Sequence, residues 1–349
     1  MAEISSFVAQ LHSSLPDLGV SPIYSNKFSQ IFLDQHHVDS YSASDDEIPT
    51  VDYSLLLSDD SDQKLIALEY LRRACQEYGF FYLVNHTIPD KVFDCVLNEV
   101  SDFFDPTTIE DRKIYCKRGS PDKIRWDLNS SAEENREYLK IVSHPEYHVP
   151  SNPSNLSKSL EEYSKEMRKI VGGLARAVSK TLGFEEAYIE KAFNLNSGFD
   201  VMAMNLYPPN SRSKSAVGIP EHTDPGFVVT LMQDVNGGLQ ILSHKGKWIN
   251  VYIPSRGILI QLGDHLEILT NGKYKSHIHR VIVDNNKVQR FSVVTLHGPS
   301  LDKIVSPGIE FVDDENPQKY CGKTYKDSLE ANGGHLIDVE SSLQQLRLA

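Results

Sequence analysis

The chain has 349 residues, 40% of them hydrophobic and 24% charged, enough to bury the core of an ordinary globular protein. Its 35 Lys and Arg stand against 48 Asp and Glu, a formal net charge of -13, so it lacks the basic footprint that a nucleic-acid partner requires. No window approaches 18 uninterrupted apolar residues, which argues against a membrane-spanning helix.

The N-terminal stretch MAEISSFVAQLHSSLPDLGVSP has no positive region followed by an apolar one, so no secretory signal is expected. Cys75, Cys95, Cys116 and Cys321 lie far apart and read as free thiols in a reducing compartment, with the cytosol as default. The first 45 or so residues read as an arm with one helix, ending in SYSASDDE. IPTVDYSLL is then a short extended segment that Pro49 keeps out of a helix. Leu65, Leu68, Leu71, Ala74, Cys75 and Tyr78 recur at three and four, with Gly79 as the stop: an amphipathic helix. GFFYLVNH is the next strand, and residues 89 to 118 read as helical, divided by Pro106.

A loop-like stretch, HPEYHVPSNPSN, leads to a second long helix. Ser159 and Glu162 have capping-box spacing, and Leu160, Tyr163, Met167, Ile170, Val171, Leu174, Ala175, Val178 and Leu182 form its apolar stripe. Gly172 and Gly173 sit inside it, where close helix packing would explain them. After residue 198 the texture changes to short runs of β-formers: VMAMNLY, FVVTLMQDV, LQILS, WINVYI, GILIQL, HIHRVIV and RFSVVTLH, separated by PPN, NGG, HKGK, PSRG, NGK and DNNK. Such spacing predicts an antiparallel sandwich or barrel, with a jelly roll as the natural form.

The β half also holds the chemistry. His222 and Asp224 in IPEHTDPGF are two apart, so an extended chain turns both to one face. His277 and His279 in KSHIHRVIV compete to supply a second imidazole, and spacing alone leaves that choice open. Two His and one carboxylate would hold one face of an octahedral iron and leave three positions open; zinc accepts the same donors. Arg290 and Ser292 in QRFSV offer a guanidinium fork and a hydroxyl on one face, a match to a carboxylate. Asn205 and Tyr207 in AMNLYPP repeat the spacing with an amide and a phenol.

The ordered series NLYPP, HTDPGF, GGLQI, GDHLEILTNGKYKS, HRV and RFS resembles the plant iron(II)/2-oxoglutarate-dependent dioxygenases, which include flavonol synthases, gibberellin oxidases and alkaloid hydroxylases. IPTVDYSLL and EYGFFYLVNHTIPD extend the resemblance over roughly residues 48 to 330. Tyr78, Thr87 and Leu206 depart from the family's common Trp, Gly and Tyr, and none is a ligand position.

The resemblance implies an isopenicillin N synthase-like fold: a mainly β core, the double-stranded β-helix, with a helix-rich N-terminal half and a C-terminal helical tail. It implies His222, Asp224 and His279 as ligands of Fe(II), with His277 left out. It assigns Arg290 and Ser292 to the far carboxylate of 2-oxoglutarate, with Asn205 and Tyr207 on the opposite wall. Dioxygen is then the other cosubstrate, ascorbate the reductant, and succinate and carbon dioxide the coproducts. Hydroxylation, desaturation and O-demethylation all lie within this chemistry.

The expected organisation is a helix-rich region 1–198 (family N-terminal domain about 48–150), a catalytic jelly roll 199–307, and a tail 308–349 packed near the open end of the barrel. The expected substrate is a small alkaloid, terpenoid or flavonoid bound by a monomer. Its walls are expected at the loop around Tyr138 and Ile141 and at the strand end with Val294 and Leu296. The alternatives are an aminocyclopropane-carboxylate-oxidase-like enzyme that needs no 2-oxoglutarate, and a non-catalytic small-molecule binding relative.

Overall fold

The computed structural model describes residues 47–116, 123–130, 134–151, 154–208, 217–283, 289–332 and 346–348. The expected N-terminal arm and residues 333–345 of the tail lie outside the described residues. Two sheets face each other as a jelly roll. The larger has eight strands in the order β1-β2-β10-β7-β12-β5-β4-β3, and the smaller four, β6-β11-β8-β9. The first strands are β1 (Thr50–Asp52), β2 (Phe80–Val84), β3 (Ile124–Ser130), β4 (Asn135–His144) and β5 (Phe199–Tyr207). Then come β6 (Val217–His222), β7 (Val228–Gln233), β8 (Leu239–Leu242) and β9 (Trp248–Asn250). The series closes with β10 (Ile258–Leu262), β11 (His279–Ile282) and β12 (Arg290–Gly298).

Alternation along these strands sorts residues into two cores. Met202, Met204, Leu206, Phe291 and Val293 point outward with Leu139 and Ile141, against the helices Asp90–Phe103 and Ser154–Thr181. Tyr207, Leu231, Leu259, Ile219 and Ile241 point into the barrel. The helix Ser61–Arg73 starts on Asp60, whose carboxylate accepts from the amides of Asp62 and Gln63. Its last turn, Ala74–Tyr78, closes at Gly79, where φ is 72°.

Three elements differ from expectation. In place of the loop expected around residues 138–141 the chain forms β4, paired with β3 and β5. Charged residues occupy the pattern: Glu137 stands on the outer face, paired with Arg112 at 2.7 Å, while Arg136 and Lys140 alternate with Leu139 and Ile141. That mixture hides a strand whose two faces are both covered. Ser159 is no N-cap, because its helix begins five residues earlier at Ser154; its hydroxyl instead donates to Glu99 on the neighbouring helix at 2.7 Å. The extended chain expected through His222 and Asp224 ends at His222, so Asp224 stands in the loop beyond β6, where Pro220 already removes a ladder donor.

The paired glycines of the long helix have separate explanations. A methyl group on Gly173 would collide with the Tyr53 hydroxyl, so the segment after β1 can lie on this helix only because residue 173 has no side chain. On Gly172 it would meet nothing nearer than Arg176 Nη1 at 3.9 Å. Gly173→Ala is therefore expected to lower unfolding stability by about 1–3 kcal/mol. Gly172→Ala should be neutral or raise it by up to about 1 kcal/mol. Urea denaturation of both variants checks the contrast.

Candidate active site

His222 ends β6 and His279 opens β11, and the register of the smaller sheet pairs the two residues directly. Their ring centroids are 4.2 Å apart. The His222 Nδ1–H donates to the Pro220 carbonyl at 2.8 Å, and the His279 Nδ1–H to the His277 carbonyl at 3.2 Å. Each ring is thereby fixed in the tautomer that leaves Nε2 with its lone pair. Both Nε2 atoms turn to Asp224, at 3.7 Å for His222 and 3.3 Å for His279. The three donor atoms all lie within 4.8 Å of one another, a separation that one small metal ion bridges.

The charges agree with the geometry. Burial opposes ionisation of Asp224, but His279, His222 and Lys140 outweigh it and hold the carboxyl down at about 2. Burial and the neighbouring His279 push His222 down to about 4, so it is a neutral donor at neutral pH. For His279 burial also disfavours the charged ring, yet Asp224 prevails and shifts it up.

His277 is turned away. Residues 275–278 are irregular and the strand begins only at His279, so the two histidines do not share a strand face. The His277 ring packs edge-on against Phe80 at 5.3 Å and His244 at 4.4 Å, with Nδ1–H donating to the Leu242 carbonyl at 3.0 Å.

The loop carrying Asp224 is braced by the motif that follows β10. The Asp264 amide donates to the Asp224 carbonyl at 2.9 Å, and the Thr223 hydroxyl donates to the Asp264 carboxyl at 3.0 Å. The Gly226 amide donates to His265 Nδ1 at 3.0 Å. Glu267 accepts from the Ser276 amide at 2.7 Å and from Tyr320, and lies 3.4 Å from Arg347, so it steadies the His279 loop against the C-terminal segment. The sequence displays GDHLEILTNGKYKS plainly but offers no way to read these residues as braces.

The second cluster lies on neighbouring strands of the larger sheet. Arg290 pairs with Tyr207 and Ser292 with Asn205. The expectation of opposite walls is corrected: Arg-x-Ser and Asn-x-Tyr are cross-strand partners on one wall, made so by the antiparallel register. The Arg290 guanidinium is 1% exposed and lies 4.6 Å from the centre of the Tyr207 ring. It donates to Gln233 at 2.6 Å, to the Gly237 carbonyl, and to Ser292 at 3.5 Å. Asn205 donates to Ser292 at 3.3 Å and accepts from Arg136 at 2.7 Å. Gln233 and Arg136 carry no spacing signal that would have marked them.

Of the four expected wall residues, three share the barrel-facing side of the sheet. Tyr138 pairs with Asn205, and Val294 and Leu296 follow Ser292 at the same alternation. Ile141 does not: it stands on the other face, 1% exposed in the core under the helices. Its removal from the set follows from the period of two along β4.

Two imidazoles and a carboxylate converging inside a jelly roll, with a held arginine on the facing sheet, define the non-haem iron oxygenase class. Residues 198–299 match the family model of the 2OG-Fe(II) oxygenase superfamily, and residues 48–162 that of the non-haem dioxygenase in morphine synthesis N-terminal. The chain is 32% identical over 307 residues to 2-oxoglutarate-dependent dioxygenase 19 of Oryza sativa subsp. japonica, covering 86% of this chain and 90% of that one. It is 31% identical over 313 residues to thebaine 6-O-demethylase of Papaver somniferum, covering 86% and 85%. The crystal structure of JOX2 in complex with 2OG, Fe and JA superimposes with a TM-score of 0.68 at 26% identity, covering 80% of this chain and 83% of that one. This chain belongs to the 2OG-Fe(II) oxygenase superfamily and is an Fe(II)- and 2-oxoglutarate-dependent dioxygenase.

The ring orientations predict a contrast between the two neighbouring histidines. His279→Ala should lower Fe(II) retention by more than about 100-fold, as should His222→Ala and Asp224→Ala. His277→Ala should keep it within about threefold of the parent. Iron content after anaerobic loading and desalting provides the measurement.

Proposed function

We propose that His222, Asp224 and His279 hold Fe(II), and that Arg290, Ser292, Tyr207 and Asn205 hold 2-oxoglutarate. The observation that carries this reading is the convergence of two Nε2 atoms and one carboxylate within 4.8 Å. When bound, the iron and the oxo acid supply the oxidising power: dioxygen is consumed, 2-oxoglutarate leaves as succinate and carbon dioxide, and a C–H bond of the prime substrate is oxidised.

The chain's own residues orient and exclude. The Nδ1–H bonds of His222 and His279 aim their free nitrogens at one point. Asp224 is ionised at neutral pH and so is a ready donor. The Arg290 fork receives the far carboxylate of the oxo acid, with the Ser292 and Tyr207 hydroxyls beside it. Asn205 fixes Ser292. The apolar residues around them, Ile219, Leu231 and Leu259 among them, keep bulk water from the reacting groups.

The substrate is a small, largely apolar plant specialised metabolite such as an alkaloid, terpenoid or flavonoid, lying along Tyr138, Val294 and Leu296. Hydroxylation, desaturation or O-demethylation follows from which hydrogen it presents. The range of relatives supports this breadth, from thebaine 6-O-demethylase to flavanone 3-dioxygenase 3 of Oryza sativa subsp. japonica. Ascorbate keeps the iron ferrous, and the enzyme acts as a cytoplasmic monomer. Among the described residues, those of 199–307 form the catalytic unit, those before it support it, and those after it cover it. The seating of Tyr325 against His265 at 5.4 Å and the Arg347–Glu267 pair favour that cover.

Likeness to 1-aminocyclopropane-1-carboxylate oxidase 5 of Arabidopsis thaliana, 32% identical over 284 residues, makes independence from 2-oxoglutarate the second reading. Succinate release decides between them, screened over a panel of small metabolites with the iron-loaded enzyme. Arg290→Lys keeps the charge but loses the planar fork. It should raise the KM for 2-oxoglutarate by about tenfold or more, while the prime-substrate KM stays within about twofold.

A further inference from the structure

Lys140 is a cation inside the barrel that the iron and cosubstrate chemistry leaves unused. It lies on β4, and its side chain turns back over the Tyr138 ring, with Nζ 5.3 Å from the ring centre. The register sets Lys140 beside Ala203, Ala203 beside Val294, and Val294 beside Leu231. This row lies two residues along the strands from the row that holds Tyr138, Asn205, Ser292 and Gln233, a displacement of about 7 Å. Ala203, between Lys140 and Val294, is the smallest member of the row. The next row is wholly apolar at Val142, Val201 and Leu296.

Nothing among the described residues neutralises this ammonium. Arg136 on the same face is committed to Glu134 and Asn205. Of the two carboxylates that Lys140 feels, Glu134 is paired with Arg136, and Asp224, across the barrel, is held between two imidazoles. Burial lowers the Lys140 ammonium to about 8, and Arg136 and Arg125 reinforce the shift, while Glu134 and Asp224 oppose it. Iron, the Asp224 carboxylate, doubly charged 2-oxoglutarate and the Arg290 guanidinium carry no net charge together. Lys140 is then a half-buried cation beside an apolar row, a setting that favours an anionic partner.

We propose that Lys140 is the anchor for a carboxylate on the prime substrate, whose apolar body runs along Val142, Val201 and Leu296 toward the metal donors. The enzyme would thereby select small apolar carboxylic acids over their neutral derivatives. The inference rests on the iron and 2-oxoglutarate reading of the site and narrows it.

The test uses the Fe(II)-loaded enzyme under anaerobic conditions with 2-oxoglutarate. Cinnamic acid, indole-3-acetic acid and jasmonic acid, each beside its methyl ester, are titrated by calorimetry. At least one acid should bind about tenfold or more tightly than its ester. Lys140→Met should bring that pair to parity, and Lys140→Arg should preserve the preference. Equal affinity for every acid and ester, no binding by any acid, or an acid preference that survives Lys140→Met would overturn the inference. The 2-oxoglutarate titration of the parent enzyme is read separately. Its failure would overturn the cosubstrate reading itself, whereas equal acid and ester affinities leave that reading standing.

Discussion

An ionised carboxylate in a protein interior persists only where opposite charge and hydrogen bonds offset its desolvation. Asp224 is such a group, and the barrel is arranged to satisfy it. Two imidazoles from adjacent strands face it, and its backbone carbonyl accepts from Asp264. Asp264 itself is buried, which pushes its carboxyl up to about 7, although bonds from Ser276 and Thr223 resist the shift. The interior therefore contains one fully ionised acid at the donor point and a second, partly protonated at neutral pH, that braces its loop. A metal cation at that point converts a costly anion into a ligand, which explains why so much of the fold converges on this loop.

The division of labour between the sheets follows from register. The smaller sheet brings His222 and His279 side by side, and the larger brings Arg290 and Tyr207 side by side. Because each pair is set by backbone pairing and not by loop conformation, the two anchors hold a fixed separation while substrates vary between them. The helices stand outside this arrangement. They cover the outward face of the larger sheet, and Arg168 of the long helix bonds Asp200 at the start of β5 at 2.8 Å, which ties the helical layer to the strand carrying Asn205 and Tyr207.

Legibility in the sequence followed the same physics. The β-rich half could be read because short runs of β-formers are separated by turn residues, as in LQILS between NGG and HKGK. His222 and Asp224 stood out as a pair, but His277 and His279 could not be told apart by spacing, and only the family resemblance separated them. The physical difference is where the strand begins, which depends on pairing with β6 and β8. Strand β4 was hidden because Glu137 sits on its outer, helix-covered face, satisfied by Arg112 and Trp126 at 2.7 Å each. With β4 unread, the inward side of Arg136, Tyr138 and Lys140 was unread too, and Ile141 was assigned to the wrong face. Gly173 announced a constraint whose cause, Tyr53, lies 120 residues away and has no local signature.

Anaerobic titration of the metal-free enzyme with Fe(II), followed by 2-oxoglutarate, tests the central assignment most directly. One equivalent of iron per chain should bind, and a visible charge-transfer absorption should appear only when both iron and the oxo acid are present. The Asp224→Ala protein should give neither. Iron binding without any 2-oxoglutarate-dependent absorption, or an unchanged response in Asp224→Ala, would contradict the account.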